Sequence, residues 1–187
     1  MLSYVHSWKN LSCSGKRMAL AIVLYGVFSP VLSLIMNVYF WRTSKNIQAI
    51  ILFNGIAFFL LPLVNYLSGL TMKVVPPKIS FAFSYLLIAA SPLILFTQNF
   101  EPYQMAAIMG VAYAFSRGIF FSNRNFLEIN LTEDGQRNFY VSLTSFFNES
   151  LSIAVPFVAG WFVVLGEDLG LYSINTAYYY LEGFVVV

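Results

Sequence analysis

The chain has 187 residues, of which 59% are hydrophobic and 10% are charged, whereas a soluble domain usually carries about 25% charged residues. Its mean hydropathy of +0.73 excludes a soluble protein. Its net charge of +2, with no cluster of Lys and Arg, excludes a nucleic-acid-binding surface.

Six long stretches with few or no charged side chains follow one another, starting between Arg17 and Arg42. A helix needs roughly 20 apolar residues to cross a hydrocarbon core of about 30 Å, and the first stretch is too long for a signal peptide. Lipid cannot satisfy unpaired backbone groups, so spans of this length form helices. We therefore predict an all-α, polytopic membrane protein with transmembrane helices at residues 18–40, 47–72, 79–100, 103–123, 139–165 and 169–187.

The basic residues predict a cytoplasmic N-terminus, because Lys and Arg in short loops favour the cytoplasmic side. Only Arg42 and Lys45 then lie outside, while the inner side holds Lys9, Lys16, Arg17, Lys73, Lys78, Arg124 and Arg137. The predicted domains are a cytoplasmic tail at residues 1–17 and a transmembrane domain at residues 18–187 of a multi-pass cell-membrane protein. The last span ends on three valines without a polar residue after them, so we expect the chain to be truncated in or just after the sixth helix.

The connections differ in length. Residues 124–137 are too polar to lie in lipid, and we predict that they form the one long loop, on the cytoplasmic side. The third span has no ionisable residue, and we predict that it is peripheral or faces lipid.

Small and polar residues recur at helical spacing in three spans, which indicates one polar face on each helix. These faces hold Gly26, Pro30, Ser33 and Asn37 in the first span, Asn54, Phe58, Pro62, Asn65 and Gly69 in the second, and Ser142, Ser145, Glu149, Ser152, Pro156 and Gly160 in the fifth. The asparagines are candidate substrate contacts, and Pro30, Pro62, Pro156 and Gly160 are candidate kink or packing positions. Close helix packing alone is the alternative explanation for each face.

Three ionisable residues lie within predicted spans: Arg117 in the fourth, Glu149 in the fifth and Glu182 in the sixth. Such residues point to function, because a charge at the bilayer centre costs at least about 2.5–3.5 kcal/mol. Arg117 and Glu149 lie on consecutive antiparallel spans, so we predict that they form an ion pair sensitive to protonation of Glu149; a purely structural pair is the alternative. Glu182 is a further cavity candidate, although its position near the helix end also suits a side chain reaching the interface.

Three motifs resemble those of the major facilitator superfamily. The segment GLTMKVVPPK, residues 69–78, is similar to the family's gating loop, with Gly69 and Lys78 at its ends and Lys73 where the family has an acid. Arg117 with Gly118 is similar to its arginine motif, and AVPFVAG, residues 154–160, to its Gly-Pro motif, which keeps Pro156 and Gly160.

This resemblance implies the N-terminal six-helix half of a twelve-helix secondary transporter, which moves a small molecule by alternating access and is coupled to protons. It implies that the first, second, fourth and fifth helices line a cavity. The implied partners are the lipid bilayer, a second six-helix half and an unidentified substrate.

The alternative function is a non-transporting membrane scaffold or a truncated assembly partner. An enzyme is not expected, because His6 and Cys13 are the only residues of their types and no paired acids have catalytic spacing. For the same reason we expect neither a metal site nor a cofactor.

Overall fold

The computed structural model describes residues 7–45, 47–95 and 100–186, with the backbone alone at positions 43, 44, 95 and 175. Its main elements are α1 (Cys13–Ser44), α2 (Ile47–Thr71), α3 (Pro77–Leu95), α4 (Pro102–Leu131), α5 (Asp134–Asp168) and α6 (Ile174–Val186). A short helical stretch at residues 7–10 precedes them, and no strand occurs in the described ranges. The predicted all-α class is confirmed.

Five of these helices, α1 to α5, are long and apolar enough to cross a membrane, as expected for a multi-pass membrane protein. The sixth helix is shorter than predicted. It has 13 residues, or about 20 Å at 1.5 Å per residue, and begins at Ile174 instead of Leu169. The cause is a turn in which Gly170 has a φ of 66° and the Tyr172 hydroxyl donates to the Phe162 carbonyl at 2.9 Å.

The prediction of a loop at residues 124–137 is wrong. Helix α4 continues to Leu131 and α5 begins at Asp134, so only Thr132 and Glu133 lie outside helices. Charged residues continue both helices because they pair along the helix, Arg124 with Glu128 and Arg137 with Asp134.

The other helices also extend beyond the predicted apolar stretches. Helix α1 starts at Cys13, where the Ser12 side chain accepts a hydrogen bond from the Gly15 amide at 3.0 Å. Pro102 begins α4 and Pro77 begins α3, positions at which the missing N–H is not needed. The predicted tail, third span and sixth span include residues 1–6, 96–99 and 187, respectively, which lie outside the described residues.

Helix α4 packs most extensively against α2 and α3, whereas α5 packs mainly against α1. Two glycines allow the α2–α4 contact: an added Cβ at Gly110 would lie 2.9 Å from the Phe53 carbonyl, and one at Gly118 would lie 2.7 Å from Val64 Cβ. Contact between α4 and α5 is slight by comparison. The bundle therefore leaves space between α1, α4 and α5.

The outer surface of the bundle is apolar. Phe59 on α2 is 83% exposed and Ile153 on α5 is 75% exposed, and many other large apolar side chains are also exposed. Such a surface would aggregate in water and suits lipid or another protein. The predicted lipid environment is therefore supported by the fold.

Candidate functional site

A cavity of about 340 Å³ occupies the space between α1, α4 and α5. Its lining includes all four residues of the polar face predicted for the first span, Arg117 of the fourth span, and only Ser152 and Pro156 of the six residues predicted to share one face of the fifth. The complete lining is Tyr25, Gly26, Ser29, Pro30, Ser33, Leu34, Asn37, Tyr113, Arg117, Phe121, Asn148, Ser152 and Pro156. Its size falls within the range of ligand pockets, about 300–1,000 Å³. The four small and polar residues predicted to share one face of the first span all contribute to this lining.

The α1 wall lies close to α5 because Gly26 has no side chain. A Cβ added there would lie 3.3 Å from Asn148 Oδ1. Four residues later, Pro30 has no N–H to donate to the Gly26 carbonyl, yet α1 remains a continuous helix. The predicted proline positions thus lie inside unbroken helices, Pro30 and Pro156 at the cavity and Pro62 on the exposed side of α2.

Arg117 lies near the middle of the 30-residue helix α4. Its guanidinium carbon is 5.4 Å from the centroid of the Tyr113 ring and 5.5 Å from that of Phe121. Arg117 Nε is buried and has no hydrogen-bond partner among the described residues. The two rings provide favourable contacts for a cation but no opposite charge.

The predicted ion pair between Arg117 and Glu149 is not formed. In the described part of the chain the ion pairs are Arg124–Glu128 and Arg137–Asp134, and Glu149 is exposed on α5. Asn148, one position earlier, faces the cavity instead. Successive helical residues point about 100° apart, so the orientation of α5 that turns Asn148 inward turns Glu149 outward.

Hydrogen bonds between helices hold the Tyr113 side of the cavity. The Ser29 hydroxyl on α1 is 3.2 Å from the Tyr113 hydroxyl on α4. The Tyr25 hydroxyl is 3.3 Å from Ser116 Oγ, and Ser116 donates in turn to the Ser84 carbonyl of α3 at 2.9 Å. These hydrogen bonds connect α1, α3 and α4. They fix the position of Tyr113, whose ring contacts the Arg117 guanidinium.

Of the four predicted substrate contacts, only Asn37 lines the cavity. Asn54 on α2 lies behind it and donates to Asn37 Oδ1 at 2.7 Å. Asn65 is half-buried near Gly118 on α4, and Glu182 is buried on α6 with Oε2 lacking a hydrogen-bond partner among the described residues. Helix α2 therefore supports the cavity through Asn54 and does not line it, contrary to the expected arrangement.

The remaining predicted positions lie elsewhere. Gly69 is in the last turn of α2, and Lys73 and Lys78 are exposed beside the turn to α3. An added Cβ at Gly160 would meet no atom of the described residues within 4 Å, so Gly160 is not a point of close packing, whereas Gly110 and Gly118 are such points.

A second buried polar group, which the sequence analysis missed, joins α4 and α5 near their short link. Arg124 Nε lies 2.8 Å from Glu128 Oε1, and its Nη2 donates to Thr144 Oγ1 at 3.4 Å and to Ser145 Oγ at 3.2 Å. Arg124, Glu128 and Thr144 are 8%, 6% and 1% exposed. The spacing of Arg124 and Glu128, four residues apart, was the available signal for their pairing.

Comparisons with protein-family models, with curated proteins and with solved structures find no match to this chain. Membership of the major facilitator superfamily therefore stays a prediction that rests on the three motifs.

Proposed function

We propose that this chain is one six-helix half of a secondary transporter, and that the cavity between α1, α4 and α5 is part of its substrate path. The observation that supports this proposal is the position of Arg117: an arginine near the middle of a membrane-length helix faces a cavity lined by polar side chains. Simple helix packing does not need such a charge, which is costly in a membrane.

The proposed second half would cover the outward face of α5. Glu149 is exposed there together with Phe146 and Ile153, which are 66% and 75% exposed. A carboxylate on this face needs protein or water beside it in a membrane. In this proposal Glu149 lies at the boundary between the halves.

Cysteine labelling in sealed vesicles tests alternating access. In a Cys13→Ser background, which removes the only cysteine of the chain, single variants Ser33→Cys and Ser152→Cys place a thiol at the cavity lining. A membrane-impermeant thiol reagent should modify both positions when it is added to either side, because a transporter exposes its cavity to each side in turn.

Ser91→Cys is the matched control, because Ser91 is a serine inside a helix that is 1% exposed and does not line the cavity. We expect it to remain unmodified from both sides. A scaffold whose polar residues only pack would show no labelling at Ser33→Cys or Ser152→Cys, and labelling from one side alone would reject alternating access.

A further inference from the structure

Among the residues that the structure describes, no opposite charge pairs with Arg117. No Asp or Glu is among the residues that line the cavity, and the two ion pairs of the described ranges use Arg124 and Arg137 instead. Arg117 Nε is buried with no partner from the same ranges. A guanidinium in this state has unused hydrogen-bond donors and an uncompensated charge, both of which an anion would satisfy.

A second free donor group faces the same cavity from α5. The Asn148 side-chain amide makes no hydrogen bond within the described part of the chain, although it lines the cavity with Arg117. By contrast, the Asn37 amide is already used, since it donates to the Ser33 carbonyl at 2.8 Å. The unsatisfied donors therefore come from opposite walls, one on α4 and one on α5.

The rest of the lining indicates what kind of anion would fit. Apolar surface comes from Tyr25, Pro30, Leu34, Phe121 and Pro156. With about 340 Å³, the cavity is at the small end of the range for ligand pockets. A planar guanidinium can bind both oxygens of a carboxylate, and an apolar body would then contact the prolines and rings.

From these observations we propose that the cavity binds a small organic monocarboxylate, whose carboxylate pairs with Arg117 and accepts a hydrogen bond from Asn148, and whose apolar body lies against α1. This proposal rests on the proposed function, because it names the substrate class of the same cavity. It assigns Arg117 to substrate binding and gives Glu149 no part in it.

Thermal unfolding of the whole chain in phosphatidylcholine nanodiscs tests the proposal, with 3-phenylpropionate as the probe. A ligand that binds only the folded protein stabilises it by RT ln(1 + L/Kd), where L is the free ligand concentration, so the unfolding midpoint rises with the logarithm of that concentration once it exceeds Kd. We expect 3-phenylpropionate to raise the midpoint and the neutral amide of the same acid to leave it unchanged. Equal effects of acid and amide, or no effect of either, would overturn the proposal.

Two arginine variants test whether Arg117 is the residue that binds the carboxylate. Arg117→Gln should weaken 3-phenylpropionate binding by about tenfold or more, because a hydrogen bond to a charged group is lost. Arg42→Gln is the matched control: Arg42 also lies over a tyrosine ring, 5.7 Å from the Tyr178 centroid, but outside the cavity. Unchanged binding in Arg117→Gln, or an equal loss in Arg42→Gln, would reject the assignment.

Asn148→Ala provides a test that keeps Arg117 in place if Arg117→Gln fails to fold. We expect it to weaken binding by about tenfold, as the loss of one hydrogen bond to a charged carboxylate predicts. Full affinity in Asn148→Ala would contradict the proposed contact.

An anionic lipid headgroup has the same oxyanion chemistry, so the measurement is repeated in nanodiscs containing phosphatidylglycerol. Equal affinity for 3-phenylpropionate in both lipids supports a soluble carboxylate. If phosphatidylglycerol abolishes this binding and itself raises the unfolding midpoint of the wild type but not of Arg117→Gln, the cavity holds lipid and the proposal is wrong. If 3-phenylpropionate does not bind but Ser33→Cys is still labelled from both sides, the proposed carboxylate substrate is rejected and the proposed transport function is not. If Ser33→Cys is not labelled from both sides, the proposed transport function is rejected.

Discussion

Arg124 on α4 and Thr144 on α5 are joined by a hydrogen bond of 3.4 Å between Nη2 and Oγ1, beside the buried ion pair of Arg124 with Glu128. Thr144 also donates to Glu128 Oε1 at 3.3 Å, so the three side chains contact one another. They lie between the Thr132–Glu133 link and the cavity. This group therefore joins two helices that otherwise make little contact.

We expect Glu128→Gln to destabilise the protein by about 3 kcal/mol or more, because removing one partner of a buried pair leaves the other charge uncompensated. Unfolding by SDS titration measures the change. The control is Asp134→Asn, since Asp134 pairs with Arg137 but has 93% of its side chain exposed, and surface pairs contribute little. Equal stability of Glu128→Gln and the wild type would show that the buried pair does not hold α4 against α5.

We expect Gly118→Ala to destabilise the α2–α4 contact by about 1–3 kcal/mol, the usual range for overpacking. The new Cβ would lie 2.7 Å from both Val64 Cβ and Val64 Cγ1 and 3.2 Å from the backbone nitrogen of Asn65, so the backbone of α2 would have to move. Gly160→Ala is the matched control, because its Cβ would meet no atom within 4 Å. That variant should be neutral or slightly stabilising in the same SDS titration, since Ala favours helix. Similar losses in both would show that the close contact with Val64 is not the cause of the destabilisation.

We expect Asn54→Ala to lower the free energy of unfolding by about 0.6 kcal/mol, the average for a hydrogen bond between transmembrane helices. The bond lost is the one of 2.7 Å from Asn54 Nδ2 to Asn37 Oδ1. Asn65→Ala serves as the comparison, because within the described ranges its side chain makes no hydrogen bond. An equal or larger loss in Asn65→Ala would show that the Asn37–Asn54 bond is not what stabilises α1 against α2.

We expect Glu149→Gln to bind 3-phenylpropionate within about twofold of the wild type, because residues without shared partners act independently. Glu149 is exposed on α5 and does not line the cavity. Nanodisc titrations of Glu149→Gln and Asn148→Ala compare two neighbouring residues that face different directions. A loss in Glu149→Gln as large as in Asn148→Ala would place Glu149 at the cavity.

Hydropathy and spacing predicted much of the site. The residues Gly26, Pro30, Ser33 and Asn37 were grouped by helical spacing, and all four line the cavity together with Arg117. The same reasoning predicted Asn37 and Asn54 equally as substrate contacts, because both have the spacing of a polar face. In the structure only Asn37 reaches the cavity between α1, α4 and α5. The same reasoning predicted a loop at residues 124–137, because charged residues were expected to end a helix. In the structure the charged side chains pair along each helix, and both helices continue through this segment.

The sequence by itself determined that the chain forms apolar helices of membrane length, because lipid offers no partner for a backbone N–H or C=O and local hydropathy is enough to locate such segments. Only the tertiary structure decided how far each helix is rotated about its axis. That rotation depends on contacts with neighbouring helices, such as Gly26 against Asn148 and Gly118 against Val64. One residue corresponds to about 100° of rotation, and for this reason Asn148 faces Arg117 across the cavity while Glu149 faces away.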